Sequence, residues 1–195
     1  MRPFYILLLS FSLISCSIHN NSLDENIKSD KTNSIKAEEN RKIISGFYTA
    51  FQNNDATQMA KYYHDNIEFE DPAFGKLNGD RAKYMWKMLV DKAQGKLKIT
   101  FGNIQADENS GRAEWEALYR FELTGRKVHN KIKANFEFKE GKIYKHKDVF
   151  DLWAWSKMAF GFTGWVLGFT SFFKNKLNEE TNKQLNLYIE KEKKK

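Results

Sequence analysis

Two runs of alternating residues constrain this chain more than any other feature. Ala113, Trp115, Ala117, Tyr119, Phe121 and Leu123 alternate with Arg112, Glu114, Glu116, Arg120 and Glu122. After Thr124-Gly125, Val128, Ile132, Ala134, Phe136 and Phe138 point one way and His129, Lys131, Lys133 and Glu137 the other. A period of two places each run on a strand with one face buried and one in water. Two such strands joined by a glycine-containing turn form an antiparallel pair whose inner face needs a helical or sheet cover.

The next turn decides which residues join that inner face. Phe138-Lys139-Glu140-Gly141-Lys142 fits a three-residue loop, a type I turn with Gly141 as the left-handed bulge residue. This pairs Phe138 with Lys142, Phe136 with Tyr144, Ala134 with His146 and Ile132 with Asp148. Paired residues share a face. Tyr144, His146 and Asp148 are therefore expected on the concave side with Phe136 and Trp115. A two-residue turn at Glu140-Gly141 is expected to reverse this and bury Lys145 and Lys147, which is costly without partners.

The cover comes from helical spacing elsewhere. Ile43, Ile44, Phe47, Tyr48 and Phe51 form one stripe of a helix over 37–54. A short helix follows over 57–63, with Thr57 or Asp55 as cap. Ile67 and Phe69 alternate with Glu68 and Glu70 in a strand ended by Asp71-Pro72, because proline removes a ladder donor. Residues 75–79 read as a loop. Residues 80–92 read as a helix with Tyr84, Met85, Met88 and Leu89 inward. Leu97, Ile99 and Phe101 form a strand, with a bulge at Gly102-Asn103. The expected class is α+β: a curved antiparallel sheet wrapped around helices as a conical barrel, with a helical tail.

That tail, 152–195, is hydrophobic and then basic. Residues 152–173 carry one charge, Lys157, and glycines at 161, 164 and 168. The uncharged run 158–173 is 16 residues long, short of the roughly 20 that a spanning helix needs. It reads as a helix, a glycine-rich turn and a second short helix, packed as a lid, a dimer contact or a membrane-interface element. Asn178-Glu179-Glu180 is expected to cap a last helix carrying Leu185, Tyr188 and Ile189.

The N-terminus speaks to location. Arg2 precedes the apolar stretch 4–13, and Leu13-Ile14-Ser15-Cys16 ends in the chain's single cysteine. This pattern resembles a bacterial lipobox, cut before a cysteine whose thiol is then lipidated. Residues 1–15 are thus expected as a lipoprotein signal peptide and 16–36, polar and without aromatics, as a disordered tether. The resemblance implies a cell-envelope protein anchored by Cys16, with Ser17 favouring the outer membrane over the inner. One cysteine excludes an intramolecular disulfide, and four scattered histidines make no zinc-type cluster. The formal charge of +7 includes a lysine-rich C-terminus, which reads as a solvated end or a headgroup contact. No nucleic-acid-binding motif is present, and no nucleic-acid partner is expected.

Residues 37–151 resemble the nuclear transport factor 2-like superfamily, whose members include SnoaL-like polyketide cyclases and ketosteroid isomerases. The resemblance rests on Phe47-Tyr48-Thr49-Ala50-Phe51 with Asn54-Asp55, on Phe69-Glu70-Asp71-Pro72, on Gly79, and on Gly141-Lys142-Ile143 leading to His146, Asp148, Phe150 and Asp151. It implies a conical pocket and a possible homodimer through the sheet. Similarity to the isomerases implies Asp71 as a general base, but Phe47 stands where their oxyanion tyrosine would be, and no acid stands near Ala134. Similarity to the cyclases implies acid–base work by His146 and Asp148, two apart on one strand. The epoxide hydrolases of this fold need an arginine between two aspartates, and Arg120 points outward in the register above.

Two functions are compatible with these residues. One is a binder of a small apolar or amphipathic molecule, lined by Tyr48, Trp115, Tyr119, Phe136 and Tyr144. The other is an enzyme moving a proton next to a carbonyl with Asp71, His146 and Asp148. No cofactor or metal is implied by either. Asp71 before Pro72 equally fits a turn-forming role, and His146 with Asp148 a satisfied buried pair. For the anchor, Cys16→Ala is expected to abolish labelling by a radioactive fatty acid and release the protein from membranes. Equal labelling of wild type and variant would contradict the lipobox.

Overall fold

A computed structural model describes residues 14–194, with side chains described from residue 28 onward. The apolar leader through residue 13 and the Cys16 side chain lie outside the described residues. Helix α1 spans Ile14–Gln52, so 16–36, expected as a tether, is helical. The stretch from 14 to 45 contains neither proline nor glycine, so nothing in it interrupts a helix once the packed part has nucleated one. Its polarity limits burial instead: residues 28–39 of α1 are largely exposed. From Asn40 onward the helix packs, and Ile44, Phe47, Tyr48 and Phe51 are buried along one stripe. Each such side chain contributes roughly 1.5–3 kcal/mol when removed from water.

Helix α2 (Ala56–Lys61) is capped by Asp55, whose carboxylate accepts from the Gln58 amide at 2.8 Å. Strand β1 (Tyr63–Asp71) therefore starts earlier than Ile67 and Phe69 suggest. Strand β2 (Gly75–Asn78) occupies the expected 75–79 loop and pairs antiparallel with β1 across the Pro72 turn. Helix α3 spans Asp80–Ala93, with Ala82, Met85, Trp86, Met88 and Val90 buried. Strands β3 (Lys98–Ala106), β4 (Ser110–Arg120), β5 (Lys127–Lys139) and β6 (Lys142–Val149) follow. The six strands form one curved sheet in the order β2-β1-β6-β5-β4-β3. The β1–β6 pairing is parallel, so the sheet is mixed rather than wholly antiparallel. Helices α1 and α3 fill its concave face, where Phe47, Phe51, Trp86, Trp115 and Phe136 belong to one core. The β3 irregularity expected at Gly102-Asn103 is present: the register shifts between Gly102 and Gln105.

The β5–β6 turn corrects the sequence reading in an instructive way. Glu140 and Gly141 both have positive φ, 54° and 70°, and Lys139 pairs with Lys142 and Phe138 with Ile143. This is the two-residue turn, which was expected to bury the lysines. It does not, because the register shifts by one immediately afterwards: Glu137 pairs with Lys145, leaving Tyr144 as an extra, bulged residue. The bulge restores the favourable faces. Phe136 now lies opposite His146 and Ala134 opposite Asp148. His146 and Asp148 are buried, while Lys145 and Lys147 pair outside with Glu137 and Glu70 at 2.9 and 3.2 Å.

After β6, Asp151 caps helix α4 (Leu152–Phe160) by accepting from the Ala154 amide at 2.9 Å. Helix α5 (Phe162–Leu167) folds back on α4, and α6 (Ser171–Glu192) starts at a Thr170 cap. Asn178 is thus interior to α6 and caps nothing. It donates to the carbonyls of Pro72 and Ala73 at 3.0 and 2.6 Å, and Asn182 donates to Phe74 O at 2.8 Å. The last helix therefore clamps the turn that follows Asp71. The α4–α5 hairpin depends on glycine at close approach: a Cβ on Gly164 would stand 1.9 Å from Ser156 O. Gly164→Ala is expected to lower stability by about 1–3 kcal/mol in denaturant melts. A variant as stable as wild type would contradict the tight packing of this hairpin.

Candidate functional site

The site forms where β1, α3, β4 and β6 converge on the concave face. Trp86 on α3 donates its indole N–H to the Tyr63 hydroxyl at 2.8 Å. Tyr63, at the start of β1, lies 2.7 Å from His146 Nδ1. His146 Nε2 lies 3.0 Å from Asp148 Oδ1, and Trp115 on β4 donates its indole N–H to the same oxygen at 3.1 Å. The Trp86 indole can only donate, so Tyr63 O accepts from it. Every member of the chain is satisfied when the phenolic proton points to Nδ1 and Nε2–H donates to the Asp148 carboxylate. The chain Trp86–Tyr63–His146–Asp148–Trp115 is closed at both ends by indole donors.

Aromatic rings pack this chain tightly. The His146 ring lies 4.5 Å from Phe136, 5.5 Å from Phe47 and 5.3 Å from Phe69, centroid to centroid. Burial, then the nearby Asp148 charge, pushes the Tyr63 phenol well above its ordinary range, while the Trp86 hydrogen bond pulls it back. The hydroxyl keeps its proton, as the network requires.

Tyr48 stands beside this chain and differs from it in one respect. Its ring stacks on Phe101 at 5.4 Å and meets Trp115 at 5.9 Å and Phe136 at 6.2 Å. Its hydroxyl is buried and has no protein hydrogen-bond partner. Burial, followed by the Asp148 and Tyr63 charges, raises this phenol far above the ordinary value. A buried hydroxyl left unpaired costs about 1–3 kcal/mol, so this oxygen is a standing acceptor and donor within the core.

Asp71 performs the turn role and something further. Its Oδ1 accepts from the amides of Ala73 and Phe74 at 3.0 and 2.6 Å. Burial nevertheless raises its carboxyl to about 7; the Phe74 amide opposes this, and the Asp148 charge adds to it. Tyr119, whose hydroxyl accepts from the α4 residue Trp155 at 2.8 Å, is raised chiefly by burial, with Asp71 contributing. Asp71 thus feels the Asp148 charge, and Tyr119 feels that of Asp71.

The structure brings together Tyr48, Trp115, Phe136, His146 and Asp148, with Asp71 and Tyr119 at their edge. Tyr144 is not among them. As the bulged residue it turns to the outer side, where its hydroxyl donates to Glu68 at 3.2 Å and its ring meets His64 at 5.6 Å. Tyr63 and Trp86 were missed by sequence reading. Trp86 is buried on α3 with Ala82, Met85, Met88 and Val90, so Met85 and Met88 face inward as expected, whereas Tyr84 and Leu89 are only partly buried. Arg120 donates to the Gly125 carbonyl at 3.0 Å on the exposed side and does not stand between Asp71 and Asp148. A groove of about 870 Å³ along the sheet is lined by Phe69, Phe136 and His146 of this site together with the charged Glu70, Arg112, Lys145 and Lys147. Among the described residues, no group of His, Cys, Asp or Glu is arranged to hold a metal ion.

A curved sheet wrapped around helices in this element order is the fold of the nuclear transport factor 2-like superfamily. The model of the SnoaL-like domain family matches residues 44–146, and the chain belongs to that family. Solved structures agree on the fold. An LEH-like epoxide hydrolase from M. tuberculosis is 22% identical, with 68% of this chain and 92% of that one covered and a TM-score of 0.50. A protein from Xanthomonas campestris assigned as a polyketide cyclase is 13% identical over 63% of this chain and 98% of its own, with a TM-score of 0.53. A protein from a soil-derived mobile gene cassette is 20% identical with the same coverage and a TM-score of 0.56. At such identities the likeness establishes the fold alone. No curated protein matches the chain.

The raised Asp71 carboxyl has a definite consequence. Between the ordinary carboxyl value of 3.8 and about 7, the folded chain holds more protons at this site than the unfolded chain. The stability contribution is therefore full below that window, falls as pH rises through it, and is flat above. Asp71→Asn keeps an oxygen for the two amides and cannot ionise. Urea melts at about pH 5 and about pH 8 should show the variant losing about 1–3 kcal/mol less than wild type across that interval. Equal losses would contradict a desolvated Asp71.

Proposed function

We propose that this chain is a lipid-anchored envelope protein that binds one small apolar or amphipathic molecule inside the cone. The observation that carries this reading is the Tyr48 hydroxyl, buried without a partner and walled by Phe101, Trp115 and Phe136. The ligand is a flat, mainly apolar molecule with a polar group that satisfies this hydroxyl, its body lying against the rings. His146 supports binding at one remove. Both its ring nitrogens are engaged, so it holds Asp148 in place rather than meeting the ligand. Trp155 closes over Tyr119, so α4 acts as the cover that moves when the ligand enters. Lipidation at Cys16 places the domain at the envelope, with the outer membrane favoured by Ser17. A homodimer through the outer sheet face belongs to the same reading, and the ion pairs Glu70–Lys147 and Glu137–Lys145 supply its polar rim.

A second reading rests on Asp71. A carboxyl near 7 is matched to proton transfer at neutral pH. A substrate C–H next to a carbonyl would give its proton to the Asp71 carboxylate, and the bonding pair would move onto the carbonyl oxygen, held by the Tyr48 O–H. The solved neighbour described as a polyketide cyclase is compatible with such chemistry. The epoxide-hydrolase parallel is weaker, because Arg120 is committed to Gly125.

Native mass spectrometry of the protein purified from its own envelope separates the two. The binding reading expects a retained small molecule, weakened roughly tenfold by Tyr48→Phe and more by Trp115→Ala, with Asp71→Asn changing retention little. Turnover of a carbonyl compound that falls roughly a hundredfold in Asp71→Asn would favour the enzyme instead. Retention unaffected by both Tyr48→Phe and Trp115→Ala would reject the cone as the site.

A further inference from the structure

The C-terminal extension carries an apolar surface that the small-molecule reading leaves unused. Seven of the twelve large hydrophobic side chains exposed among the described residues lie between 153 and 172. Phe162, Phe169 and Phe172 are 78%, 70% and 65% exposed, and Trp165 is 56% exposed. Singly exposed apolar residues are ordinary, but a cluster of aromatics on one short segment marks an interaction surface.

The hairpin presents these side chains rigidly. Gly164 and Gly168 let α5 sit directly on Ser156 of α4, where a Cβ on Gly168 would meet Ser156 Oγ at 1.8 Å. Ser156 is wholly buried there and bonds Gly164 O at 3.0 Å. Trp153 donates its indole N–H to Trp165 O at 3.1 Å. These glycines therefore fasten a ledge on which Phe162, Trp165 and Phe169 are exposed.

Charge within the ledge segment is basic. Residues 152–178 contain Lys157, Lys174 and Lys176 and no aspartate or glutamate, and Lys176 pairs at 2.7 Å with Glu179 just beyond it. Lys157 Nζ lies 3.9 Å from the Trp153 ring centroid, and the Arg126 guanidinium packs beside Gly161, donating to Met158 O at 2.8 Å. Aromatic side chains with flanking lysines and arginine match the boundary between acyl chains and anionic headgroups. Among the described residues, no helix is long and apolar enough to cross a membrane, so the fit is to lying on a bilayer.

We propose that α5 and its flanking turns insert their aromatic side chains into the interfacial layer of an anionic phospholipid membrane. This adds a second membrane contact to the anchor and is independent of any ligand in the cone.

The test uses the full chain carrying Cys16→Ser, so that no acyl group forms, with vesicles of phosphatidylethanolamine and phosphatidylglycerol bearing brominated acyl chains. Bromine quenches tryptophan only at short range. Tryptophan emission should be quenched, and Trp165→Phe should remove most of that quenching while leaving the protein bound. Phe162→Glu with Phe169→Glu should weaken vesicle binding roughly tenfold or more, and replacing phosphatidylglycerol with phosphatidylcholine should weaken it comparably. Quenching that is unchanged in Trp165→Phe would overturn the proposal, since the contact would then lie elsewhere, the apolar leader included. A lipid-free dimer that Phe169→Glu converts to monomer would also overturn it, assigning the ledge to a second copy of the chain.

Discussion

The hydrogen bond from His146 Nε2 to Asp148 Oδ1 is the constraint around which the cone is organised. A carboxylate taken out of water costs several kcal/mol unless donors surround it. Here the donors come from two strands: the imidazole on the same strand and the Trp115 indole on β4. The imidazole is useful only if its other nitrogen is also satisfied, and Tyr63 and Trp86 supply that from β1 and α3. Four elements are thereby tied to one another through side chains alone. A network of this kind tolerates little misregistration, because removing one partner leaves a buried polar group exposed to the apolar rings around it.

That requirement explains why the β5–β6 hairpin is built as it is. Glu140-Gly141 is well suited to a tight two-residue turn, yet such a turn in an unbroken ladder would send His146 and Asp148 into solvent. The Tyr144 bulge resolves the conflict by adding one residue to β6 just before His146. Sequence reading reached the correct inner and outer faces by way of the wrong turn, because either device yields the same parity. Parity follows from the alternation of Phe136, His146 and Asp148 with Glu137, Lys145 and Lys147. The partners do not, and Tyr144 was misplaced for that reason. Bulges leave no mark in composition.

Other features were legible to differing depths, and the differences have physical causes. β4 and β5 announce themselves because half of each is wet. β2 does not, since four residues bounded by glycines look like a loop until a neighbouring strand pairs with them. The α1 stripe from Ile44 to Phe51 is plain, whereas its N-terminal continuation depends on helix propagation rather than burial. Asn178 reads as a cap from its local sequence but serves as a long-range clamp on Pro72 and Ala73, a role that only tertiary approach reveals. Within the site, Asp71, His146 and Asp148 stood out by residue type. Tyr63 and Trp86 did not, because an aromatic on a buried stripe carries no sign of whether its polar atom is in use.

The most direct measurement is the protonation pattern of His146, read by NMR on protein with nitrogen-15 in its histidine rings. The network predicts a neutral imidazole with the proton on Nε2 alone, split by its attached hydrogen, and a bare Nδ1 signal shifted by the Tyr63 hydrogen bond. Replacing Trp86 with phenylalanine should leave the tautomer and perturb that shift. A His146 ring protonated on Nδ1 would mean that Tyr63 does not donate to it, and would contradict the closed chain on which this account of the site rests.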